Sequence, residues 1–232
     1  MTLRRPGLRR VALLSVHTSP LAQPGTGDGG GLNVYVRETA KRLAARGIHV
    51  DVFTRWEDPS LPATVALADG VDVHHIEAGP VERLAKEEIA NQLCSFLLAL
   101  QSHPTAGTHD VLHAHYWLSG WVGRRLAPRW DTPLIQTFHT LGVLKNAHLA
   151  PGDVPEPPLR LIAERRVARA ADRLLVLTRG EARLLHEHYG VRSDNLTVVP
   201  AGVDLTRFVP RTEPVGAGAP ELLFVGRLQP LK

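Results

Sequence analysis

The chain has 232 residues, 44% hydrophobic and 22% charged, with a formal net charge of +4. That is ample for one α/β domain with a real core and short for two full domains. Acids and bases are interspersed, with no Lys/Arg block laced with aromatics, so nucleic acid is not an expected partner; no apolar run reaches the length of a bilayer crossing, so no transmembrane segment is expected; and the mild positive balance suits anionic small substrates.

After a basic start, the apolar stretch Val11–Val16 is too short for a signal-peptide core and reads as a first strand. Leu32–Arg46 has helical periodicity through Leu32, Val36, Ala40 and Leu43, and stops at Gly47. Ile48–Phe53 is the next strand, and the turn Ala68-Asp69-Gly70 leads into another, Val71–Ile76. Glu82–Leu100 reads as one long helix. Cys94 lies in its apolar run and is expected to be buried. As the single cysteine it excludes an intrachain disulfide, and it fits a reducing cytoplasm.

Val111–His115 is a strand, followed by a short helix near Leu118–Leu126. Pro133–Phe138 is a strand, Ala150–Pro158 a Pro- and Gly-bearing loop, Leu159–Ala171 a helix, Arg173–Leu177 a strand, Arg179–Tyr189 a helix and Leu196–Val199 a strand. Short strands alternating with crossover helices imply a Rossmann-like α/β domain with a mostly parallel sheet covered on both faces. Val209–Pro220 then reads as a linker, and Glu221–Val225 as a fresh strand followed by a loop. One strand cannot make a domain. The expected organisation is therefore a first domain over residues 1–208, a linker over 209–220, and over 221–232 the opening of a second, truncated domain.

In such a sheet, ligands bind beyond the carboxyl ends of the strands. The first strand is followed by His17 and then a loop in which five of the seven residues from Gly25 to Gly31 are glycine, just before a helix. Glycines let the backbone approach a ligand, and the helix N-terminus favours an anion. A phosphate site is thus preferred over a flexible surface loop, although the pattern is neither a Walker loop nor a clean dinucleotide fingerprint. Lys86, read alone, is a solvated lysine pairing with Glu82 or Glu87. His113 and His115 share one face of their strand, opposite Ala114 and Tyr116. With no acidic or cysteine ligand at usable spacing, this pair reads as hydrogen-bonded histidines and not as a metal site. His139 and Thr140 suit substrate contacts or proton handling, with capping by Thr140 the open alternative. Arg160, read alone, is a surface arginine that pairs with Glu164 one turn on. His17, the glycine loop, Lys86, Tyr116, His139 and Thr140 nevertheless fall on the same edge of the sheet, where they would line one cleft.

The segment from Val16 to Tyr35, the run His113-Ala114-His115-Tyr116-Trp117-Leu118-Ser119-Gly120, His139-Thr140 with Lys145-Asn146, and Phe224-Val225-Gly226-Arg227-Leu228-Gln229-Pro230 resemble glycosyltransferase family four. Within it they are most similar to the branch that glycosylates an inositol phosphate at the start of mycothiol synthesis. The resemblance implies a GT-B fold of which this chain is the acceptor-binding half. It implies transfer of N-acetylglucosamine from UDP-N-acetylglucosamine to 1D-myo-inositol 3-phosphate with retention of configuration. The acceptor would meet His17, Asp28, Gly29, Gly30, Gly31, Leu32, Asn33, Lys86, Tyr116, Thr140 and Arg160, with Lys86, Tyr116, Thr140 and Arg160 on its phosphate. The donor would touch Gln23, Pro24 and Gly31, and Arg227 and Lys232 would bind its diphosphate and stabilise the charge growing there. His139 would orient the transferred sugar, and no classical general base is implied. No cofactor or metal is required, with Mg2+ left open for the second domain and a homodimer open as a state of assembly. Leu32 stands where the family usually has methionine, and His139-Thr140-Leu141-Gly142 drifts toward the sucrose-phosphate-synthase-like branch. The alternatives are thus another family-four acceptor, or a non-catalytic fragment that binds a phosphorylated ligand.

Overall fold

The computed structural model describes residues 7–25, 29–210 and 222–223. One eight-stranded sheet runs through it in the order β3-β4-β2-β1-β5-β6-β7-β8. The strands are β1 (Arg10–Leu14), β2 (His49–Arg55), β3 (Thr64–Ala68), β4 (Val71–Ile76), β5 (Val111–His115), β6 (Leu134–Thr137), β7 (Arg173–Val176) and β8 (Leu196–Val198). All neighbours pair in parallel except β3, which lies antiparallel on β4 at the edge. β1 has β2 on one side and β5 on the other, so the strand order reverses beside it. That reversal opens a crevice at the carboxyl ends of β1 and β5.

The helices are α1 (Gly31–Ala44), α2 (Lys86–Ile89), α3 (Leu93–Gln101), α4 (Tyr116–Trp130), α5 (Gly142–Ala147), α6 (Pro158–Ala170) and α7 (Arg179–Tyr189). Val36 and Ala40 of α1 bury against Val11, Leu13, Val50, Val52, Val71 and Val73 on one face of the sheet. The other face carries Ala12, Leu14, Phe53, Leu112 and Ala114 under Phe96 and Leu100 of α3 and Leu118, Val122 and Leu126 of α4. Alternate residues of the central strands thus feed two opposite cores, which is why these strands read as continuous apolar runs.

Local chemistry sets the helix ends. In α7, Thr178 Oγ1 accepts from the Glu181 amide at 3.0 Å while the Glu181 carboxylate accepts from the Leu177 amide at 3.0 Å. Gly190 closes the helix at φ 67°.

Two expectations need correcting, and β3 is a strand that the sequence reading does not find. The helix expected over Glu82–Leu100 starts later and is interrupted: α2 and α3 are separated by a 3-10 turn, Ala90–Gln92. The cause is tertiary. Arg55 donates to the carbonyl of Pro80 at 2.8 Å and to that of Glu82, so this backbone is held outside any helix. Cys94 is exposed. Leu93, Phe96, Leu97 and Leu100 take the buried stripe of α3, and Cys94 falls between its turns on the outer side. β3 carries no clear alternation because it is a partly exposed edge strand; only its turn, with Gly70 at φ 72°, is legible. The linker from residue 211 onward and, apart from Leu222 and Leu223, the strand expected over Glu221–Val225 lie outside the described residues.

Candidate functional site

Tyr116 is the hub of the crevice. It follows the last residue of β5 with φ 73°, and His139, just beyond β6, has φ 64°. Neither is glycine, and such left-handed backbone costs about 1–3 kcal/mol unless its surroundings enforce it. Two adjacent strand ends thus carry the same strain. This turn swings the Tyr116 ring against His17, with centroids 4.4 Å apart. The Lys86 ammonium lies 4.5 Å from the centroid of the same ring, and the Arg160 guanidinium carbon 4.9 Å. Segments following β1, β4 and β5, together with α6, therefore bring two cations and one imidazole to one phenol.

Arg160 is fully buried. Its Nε donates to Glu164 Oε1 at 2.7 Å, and Nη2 donates to the carbonyl and hydroxyl oxygens of Thr140 at 3.1 and 3.0 Å. Its Nη1 lies 2.8 Å from Glu156 Oε1, but out of line for a hydrogen bond. Burial works against its charge, but Tyr116, Glu164 and Glu156 outweigh it and strengthen its hold on the proton. Glu164 is fixed in turn by the Gly142 amide at 3.1 and 3.0 Å and by the Tyr189 hydroxyl at 2.5 Å. Glu156 pairs with Lys145, and its amide donates to Asn146 Oδ1 at 2.7 Å. The pairing of Arg160 with Glu164 is as the helical spacing predicts, while its surface placement is not. The Lys145-Asn146 pair clamps the Pro-rich loop.

Among the described residues, two buried polar atoms around Tyr116, His17 Nδ1 and Tyr116 Oη, have no hydrogen-bond partner, and Arg160 Nη1 has only its ion pair with Glu156. Buried polar groups are nearly always satisfied, so such atoms gathered at one point fit a polar ligand. The titration behaviour agrees. Burial, then Lys86, His139 and Arg160, hold the His17 pKa well below its ordinary value, so this imidazole is neutral. Burial pushes the Tyr116 hydroxyl up, against the pull of Arg160, so it stays protonated.

A second group adjoins the first. His113 is hydrogen-bonded to Thr137 Oγ1 at 2.9 Å, and His115 Nδ1 to His139 Nε2 at 3.0 Å. Tyr35 of α1 sets its ring edge-on to His139 at 5.1 Å. Burial lowers the pKa of His113 to about 3 and of His139 to about 4. The two strand histidines are thus hydrogen-bonded, as their spacing suggests.

The glycine loop joins through Asn33. This fully buried residue donates to Thr18 Oγ1 and the Ser19 carbonyl, both at 2.5 Å, and accepts from the Gly30 amide at 3.0 Å. Its side chain therefore ties the head of α1 to the loop after β1. Leu32 packs into the core. Gly29 is buried and Gly31 exposed, and among the described residues a Cβ added at Gly30 or Gly31 would meet nothing within 4 Å. Gln23 and Pro24 are exposed on the same loop. Asp28, Arg227 and Lys232 lie outside the described residues. Tyr35, Glu156, Glu164 and Tyr189 are the site residues that sequence reading does not find; only the 3.6-residue spacing of Arg160 and Glu164 signals one of them.

Among the described residues, one group offers metal-ligand atoms close together, His49, Asp51 and Asp72, within 4.8 Å of one another. It sits at the opposite edge of the sheet. Asp51 is already engaged there by Arg10 Nε at 2.7 Å, His74 Nε2 at 2.7 Å and His109 Nε2 at 2.9 Å. No described helix is long and apolar enough to cross a membrane.

Comparison with known proteins supplies the context. Residues 30–202 match the family described as glycosyl transferase 4-like domain. A D-inositol 3-phosphate glycosyltransferase of Geodermatophilus obscurus is 54% identical over 97% of this chain and 52% of its own length. One of Kineococcus radiotolerans is 51% identical over 99% of the chain and 55% of its own length. The chain thus spans about half the length of the curated relatives it matches. Among solved structures, a sucrose-phosphate synthase from Thermosynechococcus elongatus superposes with a TM-score of 0.81 at 32% identity, over 88% of this chain and 50% of that one.

Proposed function

The chain belongs to the glycosyl transferase 4-like family, and on that premise we propose that it is the acceptor-binding half of a retaining GT-B enzyme that moves N-acetylglucosamine from UDP-N-acetylglucosamine to 1D-myo-inositol 3-phosphate. That reaction would be the first step of mycothiol biosynthesis, in the cytoplasm. The acceptor is the one for which the D-inositol 3-phosphate glycosyltransferase relatives are named. The observation that carries the reading is the pair of buried atoms without a hydrogen-bond partner among the described residues, His17 Nδ1 and Tyr116 Oη, around a ring that also bears Lys86 and Arg160. A phosphate monoester supplies an acceptor oxygen for the tyrosine hydroxyl, and two cations offset its charge.

In this reading Lys86, Tyr116, Arg160 and Thr140 take the phosphate, and His17 with Gly29 to Gly31 takes the polyol ring. An acceptor hydroxyl oxygen bonds to the anomeric carbon while the bond from that carbon to the diphosphate breaks. The electron pair leaves with the diphosphate, which also receives the hydroxyl proton. Arg227 and Lys232, from a second domain beyond the linker, would stabilise that charge, and Gln23 and Pro24 would border the donor. The reading assigns no metal or cofactor to this half and leaves a homodimer open as its state of assembly.

A second reading keeps the site and changes the acceptor to a hexose phosphate, supported by the sucrose-phosphate synthase likeness at 32% identity. Calorimetric titration of the chain with 1D-myo-inositol 3-phosphate, a hexose phosphate and inorganic phosphate separates the two. The first should bind most tightly. Preference for the hexose phosphate would move the assignment to the second reading, and binding of none of the three would remove both.

A further inference from the structure

His115 and His139 stand at the ends of neighbouring strands, and their rings share one hydrogen bond, Nδ1 of His115 to Nε2 of His139 at 3.0 Å. Both imidazoles are neutral near pH 7. Burial, then His113 and His139, hold His115 well below its ordinary range, and burial takes His139 to about 4. A bond between two neutral imidazoles contains a single proton, so only two arrangements exist. If His139 donates from Nε2, His115 must carry its own proton on its Nε2. That nitrogen is buried and has no hydrogen-bond partner among the described residues, and an orphaned buried N–H is among the rarest features of native proteins. If His115 donates from Nδ1 instead, its Nε2 exposes only a lone pair to the interior. The second arrangement places the remaining proton of the pair on Nδ1 of His139, the nitrogen that this bond leaves over.

We infer that His115 fixes His139 as the Nδ1–H tautomer, which makes His139 a hydrogen-bond donor to a ligand oxygen and withholds it from acting as a base. Two further contacts hold the ring to this task. The His139 backbone is locked at φ 64°, and Tyr35 presses edge-on at 5.1 Å to His139 and 5.8 Å to His115. His115 is therefore a positioning residue. The inference rests on the functional reading above only for the identity of the oxygen, which would be a hydroxyl of the transferred sugar. It also accords with a transfer site without a protein base, because the imidazole would meet a ligand oxygen with its proton already in place.

The test is a long-range proton–nitrogen correlation spectrum of the 15N-labelled chain at pH 7, with no ligand. His139 should show a pyrrole-type shift at Nδ1 and a pyridine-type shift at Nε2, with the same pattern at His115. Protonation of His139 at Nε2 overturns the inference. His115→Phe removes the donor and should turn the His139 pattern into a tautomer mixture, whereas His115→Asn, whose amide can donate from the same place, should preserve it. An unchanged His139 spectrum in His115→Phe also overturns the inference. Should that variant not fold, the unsubstituted chain and His115→Asn still decide. Failure of an inositol phosphate to bind would sink the functional reading and leave this one standing; a wrong tautomer would sink this one alone.

Discussion

The Lys86 ammonium rests 4.5 Å from the centroid of the Tyr116 ring. Neither partner is placed by its own element alone. Lys86 begins α2 where Arg55 holds the preceding carbonyls out of helix and Glu88 Oε2 accepts from the Ala85 amide at 2.8 Å, and Tyr116 meets it with its backbone at φ 73°. A cation held over an aromatic face is attracted by about 0.5–2 kcal/mol, so this pairing sets the ammonium beside the phenol at the crevice.

Lys86→Ala should weaken binding of inositol phosphate to the chain by about tenfold to a hundredfold. The lost contact is a hydrogen bond to a charged group, worth about 1.5–3 kcal/mol. Because Lys86 is only partly buried, thermal stability should change little. Calorimetry beside a melting curve reads both, and unaltered affinity would remove Lys86 from the site.

Tyr116→Phe should separate stability from binding. The hydroxyl is buried without a hydrogen-bond partner among the described residues, so its loss should leave the unliganded chain as stable as before, or slightly more so. Phosphate affinity should still fall several-fold, about 0.5–1.5 kcal/mol for one hydrogen bond. A marked fall in melting temperature would mean that the hydroxyl already has a partner.

Glu164→Ala should destabilise the fold by about 3–5 kcal/mol in urea unfolding, because it strands the buried Arg160 charge. Tyr189→Phe, which removes only the hydroxyl bonded to Glu164, should cost about 1–2 kcal/mol. The order of the two is the check: if the tyrosine variant were the weaker, Glu164 would not be the anchor of Arg160.

Acidification should weaken the fold well before the carboxylates titrate. The buried histidines have folded-state pKa values below their unfolded values, to about 3 for His113 and about 4 for His139. The unfolded chain thus binds more protons, and stability rises with pH. The stabilisation is complete above about pH 6.5 and is lost as pH falls through the unfolded histidine range, by roughly 1.4 kcal/mol per pH unit per histidine. Unfolding at pH 5 should take up protons, measurable as a buffer-dependent unfolding enthalpy. In His113→Gln that uptake should fall by about one proton.

Asp51→Asn should behave oppositely to the site variants. Burial alone would raise the Asp51 pKa, but hydrogen bonds from His109, His74 and Arg10 outweigh it and hold the carboxylate ionised. Losing that charge should cost about 1–3 kcal/mol of stability with no effect on phosphate affinity, since the network sits at the far edge of the sheet. A matching loss of affinity would show that the two edges are coupled.

The alternation of strand and helix, the parallel sheet and the gathering of His17, the glycine loop, Lys86, Tyr116, His139 and Thr140 on one edge are legible in the residues, because period and loop placement follow from local backbone geometry. Val111–His115 and Arg179–Tyr189 coincide with β5 and α7 to the residue. What escapes reading is what distant segments impose on each other. The break before Lys86 depends on Arg55, the burial of Arg160 on Glu164 with Tyr189 behind it, and the inward side chain of Asn33 on Thr18 and Ser19.

The sequence by itself determined the class of fold and which polar residue types would meet at the carboxyl edge, since apolar period and strand-end position are properties of short segments. Only the tertiary structure decided which of those groups are spent on the protein and which remain unpaired. Whether Arg160, His17 or Tyr116 has a hydrogen bond to spare depends on partners many residues away, and no local pattern of side chains encodes that balance.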